Sequence, residues 1–532
     1  MIVCNLQTRF HDGMFDEVGQ LSQGDQSTND QVTRRDVRLA SKALLYKHPE
    51  WTCANHIRQS SGLKQIVVLL GWVGLLHPAL FLGAVYVALL GLFTLLIAMR
   101  IALSLRGAAG RQVPRPAMFA MQSAWPKYSV LLPLYKEAGS LPKLADSLRR
   151  LDYPQDKLEV LFLVEQDDLE TIAAVRNLAM PRNWKVLILP DGQPRTKPRA
   201  LNVALGKLTG DIVTIYDAED HPHPAQLKAA ALALRGGGPG LACVQAPLRA
   251  YNAGSSWIAG QWGLEYDIHF GLILPALAKA KRPIALGGTS NHFRVSALRE
   301  VSGWDAWNVT EDADLGLRLT RRGYRVDTIA PPTNEEAPES LRVWLPQRSR
   351  WIKGYMQSAS VLWRKPIKAV GEMGFVAFSA SQILLLGAIL SACLHGPLAL
   401  LCLIAMLMPG WQLGAASFVL LLAGYLAHCL GVLMSPGRRG LRRIWLLVTA
   451  PLYWPLQSVA AIKALYELAT TPYAWSKTPH ALTETEIPSF QRVSARRSKQ
   501  GSANAGSGTD TFRHGGPHSG WGLGQQEGGR TA

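Results

Sequence analysis

Between residues 125 and 350 short apolar runs alternate with amphipathic stretches. Tyr128–Leu134, Leu158–Val164, Trp184–Leu189 and Ile212–Tyr216 read as strands, while Leu141–Leu151, a stretch around Glu170–Ala179 and one near Arg199–Lys207 read as helices. This alternation predicts a mainly parallel sheet with helices on both faces. Longer apolar runs flank it. From Leu63 to Leu105 the chain is almost uncharged until Arg100. One helix needs about 20 residues to cross a bilayer, so this length predicts two crossings folded as a hairpin at His77-Pro78, with one long tilted helix as the alternative. After Trp351, Ile352–Lys368 is interfacial in character, and crossings are expected at Met373–Cys393, Pro397–Met408, Leu413–Met434 and Ile444–Leu465. Four crossings would leave Arg438, Arg439, Arg442 and Arg443 on the far side, against the basic bias of cytoplasmic loops; three would not.

The expected organisation runs as follows. A small cytoplasmic head over 1–62 holds a short amphipathic helix at Asp36–Tyr46, and a transmembrane hairpin occupies 63–105. An α/β domain covers 106–351, an interfacial helix and transmembrane helices 352–466, and a juxtamembrane segment with a disordered tail 467–532. Charged residues make up only 18%, yet the net charge is +18. Such an excess favours membrane surfaces and acidic ligands. The basic residues cluster beside the apolar runs and not among aromatics on one face, which argues against nucleic acid as a partner. Basic flanks on both sides of 63–105 place the α/β domain in the cytoplasm. Six cysteines lack CxxC spacing, so neither a disulfide framework nor a zinc site is indicated. The first sixty residues are polar and hold no cleavable signal peptide.

One strand carries the candidate chemistry. Asp211-Ile-Val-Thr-Ile-Tyr runs into Asp217, Glu219 and Asp220. Carboxylates packed at the end of a buried strand raise one another's pKa unless a cation sits among them. Mg²⁺ or Mn²⁺ suits such hard oxygen ligands and in turn binds a diphosphate. Strand ends are also where open α/β sheets hold their ligands. Val160-Leu-Phe-Leu-Val164 stops similarly at Glu165, Asp167 and Asp168. A carboxylate there would accept from a base N–H or a ribose hydroxyl, although Asp168 reads equally as a helix cap. Thr196-Lys197-Pro-Arg199 opens a helix and makes either an anion site or a basic surface turn. Thr310-Glu311-Asp312 opens another helix, where Asp312 is a catalytic acid–base candidate or a first-turn acid. Gln347, Arg350 and Trp351 supply a phosphate fork and a flat apolar face, or an interfacial anchor.

In this order, together with Pro133-Leu-Tyr135-Lys-Glu137, Lys197-Pro-Arg199-Ala-Leu-Asn202 and Gly287-Gly288-Thr289-Ser-Asn291, these blocks resemble the inverting GT-A glycosyltransferases of family 2. The branch resembled is the membrane-embedded one that includes cellulose and hyaluronan synthases, and the resemblance runs from about Tyr128 to Trp351. It implies an α/β GT-A (nucleotide-diphospho-sugar transferase) domain inserted between N- and C-terminal transmembrane α-helices. It also implies a multi-pass protein of a bacterial inner membrane. Asp217 and Glu219 would be the metal positions, with Glu in place of the usual second Asp. Glu165, Asp168, Lys197, Asp217, Gln347 and Arg350 would bind the nucleotide-sugar donor, expected to be a UDP-sugar. Asp312 would be the general base. Gly288, Thr289, Glu311 and Trp351 would border the acceptor, a growing β-linked glycan or, alternatively, a lipid. Membrane lipids and accessory secretion subunits are the further partners implied. Trp475–His480 would then be a gating loop or a juxtamembrane anchor.

Overall fold

The computed structural model describes residues 32–55, 71–72, 75–110, 125–407, 415–437 and 439–474. The loop at Trp475–His480, the tail, and most of the first arm of the expected hairpin lie outside them. Helix α1 (Arg34–Lys47) begins at a capping box, in which Thr33 and Asp36 exchange side-chain and backbone hydrogen bonds. Helix α2 (Pro78–Ala109) starts one residue after His77 and continues for 32 residues.

The α/β domain is built on seven strands in the order β3-β2-β1-β4-β8-β6-β9. These are β1 (Tyr128–Leu134), β2 (Leu158–Glu165), β3 (Trp184–Leu189), β4 (Ile212–Ile215), β6 (Leu241–Gln245), β8 (Asn291–Arg294) and β9 (Arg325–Thr328). The four expected strands pair in parallel, with Tyr128 opposite both Leu158 and Ile212. The sheet is mainly parallel, as expected, and is made mixed by one strand, β8, which runs antiparallel to both β4 and β6. Asn291-His-Phe-Arg follows directly on a tight loop that carries Ser290 at φ +57°, and this loop sends the chain back along the sheet. A small sheet of β5 (His221–Pro222), β10 (Thr333–Glu335) and β7 (Leu248–Ala250) stands beside it.

Helices α3 (Leu141–Arg149), α4 (Leu169–Arg176), α5 (Lys197–Leu205) and α6 (Gln226–Gly236) follow β1, β2, β3 and β5. Two apolar layers enclose the sheet. Leu131, Leu161, Leu163 and Val213 face one side with α5, while Val130, Leu132, Val160 and Phe162 face the other with α3. The alternation along each strand produces this division. Helix α1 packs on α5 through Val37, and Asn202 Nδ2 donates to Ala40 O at 3.1 Å. Helices α7 (Trp257–Ile268), α8 (Glu311–Arg321) and α9 (Leu341–Arg364) complete the domain.

Among the described residues four helices are long and apolar enough to cross a membrane: α2, α10 (Phe375–Leu407), α11 (Ala415–Met434) and α12 (Leu441–Thr470). The stretches Met373–Cys393 and Pro397–Met408, expected as two crossings, are joined from Phe375 to Leu407 in the one helix α10, which carries Pro397 inside it. Two of the arginines after α11, Arg442 and Arg443, are held by the α/β domain. Arg442 donates to the carbonyls of Ala253 and Ser256, and Arg443 pairs with Asp267 at 3.0 Å. The far end of α12 is tied to the same domain through Glu467 and Lys353, 3.3 Å apart. With α10 continuous, the start of α12 lies against the α/β domain, and so does its far end.

Candidate active site

Strand β1 has β2 on one side and β4 on the other, so the chain order reverses there and the carboxyl ends of the strands open a crevice. A cavity of about 420 Å³ fills it. Its wall includes Glu165, Lys197, Asp217, Glu219, Gly288, Thr289, Glu311, Asp312, Gln347, Arg350 and Trp351, which come from separate stretches of the chain. Asp168 is the exception. Its carboxylate accepts from the backbone N–H of Thr171 at 3.2 Å and from that of Lys136, so it caps α4 and does not line the cavity. Where a strand leads straight into a helix, the acid at the N-cap position satisfies the helix's free N–H groups. Glu165 does line the cavity, but both its oxygens accept from the buried Arg199.

The acidic end of β4 is arranged in two layers. Asp217 and Glu219 face the cavity, while Asp220 turns inward. Asp220 Oδ2 accepts from Asp217 N at 2.7 Å and from the Thr289 hydroxyl, and its buried Oδ1 has no partner. Burial, followed by the nearby Asp217 and Glu219, raises the Asp220 pKa well above the usual carboxylate range. Lys197, the first residue of α5, pairs with Asp217 and donates to Gly288 O at 2.8 Å. Burial pulls the Lys197 pKa down, but Asp217, Glu311 and Asp220 outweigh it and the net shift is upward.

Glu311 and Asp312 occupy the first turn of α8 behind the N-cap Thr310. Burial, and then Asp312 beside it, pushes Glu311 up to about 7. Burial also raises Asp312, opposed by the N–H of Ala313 and by Lys197 and Arg350. A carboxylate desolvated in this way is the type of group that accepts a proton near neutral pH. The loop 287–291 is fastened close by: Gln245 Oε1 accepts from Gly287 N at 2.9 Å, and Gln245 Nε2 donates to Thr289 O at 3.0 Å.

On α9, Gln347, Arg350 and Trp351 follow at i, i+3 and i+4 and so share one face. Trp351 stacks toward Tyr266 with 16° between the rings and lies 4.8 Å from Trp262, while Arg348 covers it at 4.9 Å. The wall also holds residues that the sequence reading does not single out, among them Glu335, Tyr266 and Tyr355. Burial, with Glu219 and Asp217 adding to it against Tyr266 and Lys197, pushes Glu335 up to about 8. The signal for Glu335 was present, since Thr333-Asn-Glu335-Glu336 is another short run that stops in acids.

Among the described residues no three His, Cys, Asp or Glu side chains converge as a closed metal cage. Two carboxylates in an open cleft are nonetheless what a Mg²⁺-type ion takes from protein when phosphates and water complete its shell. The upward shift of Glu335 and the orphaned Asp220 oxygen mark an excess of negative charge that such an ion would relieve.

Residues 212–456 match the glycosyl transferase family group 2. The β-monoglucosyldiacylglycerol synthase of Synechocystis sp. is 26% identical over 272 residues, which cover 49% of this chain and 55% of that protein. The UDP-forming cellulose synthase catalytic subunit of Xanthomonas axonopodis pv. citri is 29% identical over 261 residues, 47% of this chain and 34% of the relative. The chain therefore spans about half the length of the first curated relative and a third of the second. The mannosyltransferase PcManGT from Pyrobaculum calidifontis, solved with GDP-Man and Mn²⁺, overlays 72% of this chain and 99% of its own at a TM-score of 0.45 and 20% identity. The mixed sheet with its flanking helices is a GT-A-like α/β fold.

Proposed function

We infer that this chain, a glycosyltransferase whose residues 212–456 carry a family group 2 domain, moves a sugar from a nucleotide-sugar onto a growing β-linked glycan at a membrane. Inversion at the anomeric carbon and a UDP-sugar donor are part of the proposal, and the Gln347–Arg350–Trp351 motif favours processive addition. One observation carries this reading. Asp217, Glu219, Lys197, Asp312, Arg350 and Trp351, spread over 155 positions from 197 to 351, meet on one cleft at the carboxyl ends of the sheet.

Inverting transfer is an in-line displacement with oxocarbenium character. It needs a base behind the acceptor hydroxyl and positive charge at the departing diphosphate. Asp312 takes the proton from the acceptor hydroxyl. Arg350 and Lys197 face the departing phosphates, with Arg350 supplying a planar fork. Asp217 and Glu219 would hold Mg²⁺ or Mn²⁺, which neutralises charge on the diphosphate when bound. Glu165 borders the nucleoside end, oriented by Arg199. Gly288 and Thr289 leave room for the acceptor beside Asp312, and Trp351 offers an apolar face to its sugar ring. Trp351 is packed on Tyr266 and Trp262, so that face is held in place.

Washed membranes bearing the full chain are to be assayed for UDP release with a panel of UDP-sugars, with and without Mn²⁺. Metal-dependent release with one donor, lost in Asp312→Asn, is expected. Equal release by wild type and Asp312→Asn would overturn the role of Asp312, and no release with any donor would overturn the UDP-sugar reading. A second reading, transfer of a single sugar to a lipid, is favoured by the name of the Synechocystis relative. Product sizing separates the two: a ladder supports the glycan and one glycolipid supports the lipid.

A further inference from the structure

A second cavity, of about 400 Å³, lies among α2, α10, α11 and α12. Its wall is mainly apolar, formed by side chains such as Phe93, Leu96, Leu384 and Leu420. On α2 the lining runs from Tyr86 to Arg100, a length of about 21 Å at the helical rise. That exceeds half of the roughly 30 Å hydrocarbon thickness, so it matches the depth reached by a lipid chain in one leaflet. The volume falls within the roughly 300–1,000 Å³ of sites that enclose a ligand.

The polar end is at Arg100. Its guanidinium meets His428 Nδ1 at 3.1 Å, and among the described residues no carboxylate lies within ion-pair distance of it. The one carboxylate on this wall, Glu265, is already paired with Arg348. Glu265 also attracts Arg100, so two arginines share one carboxylate and the cavity carries net positive charge inside an apolar bundle, an arrangement that an anion would stabilise. Arg100 also stands at headgroup depth. Seven residues further along α2, about 10 Å, Gly107 touches the backbone of Leu272 in the α/β domain, with no room for a Cβ. Positive charge at this level above a chain-length apolar slot is complementary to a phosphate that carries a hydrocarbon chain.

We propose that this cavity binds one anionic membrane lipid, with its phosphate on Arg100 and one chain running past Phe93 toward Tyr86. The site is separate from the catalytic cleft but shares a wall with it. Glu265 and Arg348 line the lipid cavity, whereas the adjacent Tyr266 and Gln347 line the cleft. The proposal rests on the reading that these helices lie in a bilayer, not on which sugar is transferred.

The test uses the full chain, delipidated in detergent and offered phosphatidylglycerol or phosphatidylcholine, with retained lipid counted by native mass spectrometry. Wild type should keep one phosphatidylglycerol per chain and no phosphatidylcholine. Arg100→Gln should lower retention by about tenfold or more, and Arg100→Lys should restore most of it. Ala388→Phe, which fills the chain slot, keeps the test decisive if Arg100→Gln fails to fold, and it too should lose the lipid. Equal retention of the two lipids, retention of neither, or unchanged binding in both Arg100→Gln and Ala388→Phe overturns the proposal. Recovery of wild type in carbonate-washed membranes is scored first. Failure there removes the bilayer reading itself, while failure of binding after success there removes only the lipid site.

Discussion

Gly288 lies against Asp312: a Cβ at position 288 would stand 3.4 Å from Asp312 Oδ2. The backbone loop and the proposed base thus share one face of the cleft, and the missing side chain is the space into which an acceptor hydroxyl can enter. Gly288→Val fills that space. Misplacing a reacting group by about an ångström costs on the order of a hundredfold, so kcat/KM should fall by about that factor. Calorimetry should find nucleotide affinity within about threefold of wild type, because the substitution keeps the backbone carbonyl to which Lys197 donates. A loss confined to nucleotide affinity would place Gly288 on the donor side instead.

Asp312→Asn should lower kcat by about a hundredfold to ten-thousandfold while nucleotide binding persists. The pH profile gives a second readout. Burial raises both Asp312 and its neighbour, Glu311 to about 7, and the base acts only when deprotonated. The rate should therefore fall as pH drops through a limb that lies above the ordinary carboxylate range, and level off above it. Glu311→Gln removes the like charge beside Asp312, so the acid limb should move to lower pH. An unmoved limb in Glu311→Gln would mean that the titrating group is not beside position 311.

Lys197 ties Asp217, just past β4, to the carbonyl of Gly288 and so spans the proposed metal and acceptor sides of the cleft. Lys197→Ala leaves Asp217 and Glu219 without that cation and removes charge that would face the diphosphate. The donor KM should rise by about 10- to 100-fold, the scale of one charge-assisted hydrogen bond. Lys197→Arg should recover part of the loss, and the Mn²⁺ concentration for half-maximal rate should fall in Lys197→Ala, because no lysine then competes with the ion for Asp217. If the donor KM stays at the wild-type value, Lys197 is a structural strut only.

Much of this was legible in the chain because strands with period-two burial announce themselves. Tyr128–Leu134 and Trp184–Leu189 form over the expected residues, and all but one of the expected site residues line one cavity. The antiparallel β8 was hidden because its direction depends on a turn at Ser290, where φ is +57°, and not on any periodicity of Asn291–Arg294. Asp168 and Asp217 both end apolar strands. What separates them is the next residue's fate: Leu169 starts a helix that consumes the carboxylate, whereas the turn after Asp217 leaves it facing the cleft. Glu335 went unnoticed since its neighbours in space, Tyr266 and Asp217, are remote in the chain. The single helix α10 was read as two because Pro397 sits within an apolar run, and apolar packing tolerates a proline there.

Two of the motifs are joined by a contact that neither reveals alone. Gly354 of α9, one turn beyond Arg350 and Trp351, packs directly on the side chain of Thr310, the residue that opens α8. A Cβ at position 354 would overlap the Thr310 side chain, whose Cβ stands only 2.7 Å from the built position. Gly354→Ala must therefore push α9 and α8 apart. Relief by movement of α9 shifts Arg350 and Trp351, and relief by movement of α8 shifts Asp312. Overpacking of this kind costs about 1–3 kcal/mol, which lowers the thermal midpoint of the detergent-solubilised chain. Activity should fall further than that destabilisation explains, because the chain that remains folded has the base and the phosphate fork out of register. The decisive comparison is kcat at a temperature where circular dichroism shows both proteins fully folded. A normal kcat there would make the Gly354–Thr310 contact a matter of stability alone, whereas a drop of about tenfold or more would make it the hinge that sets the distance between α8 and α9.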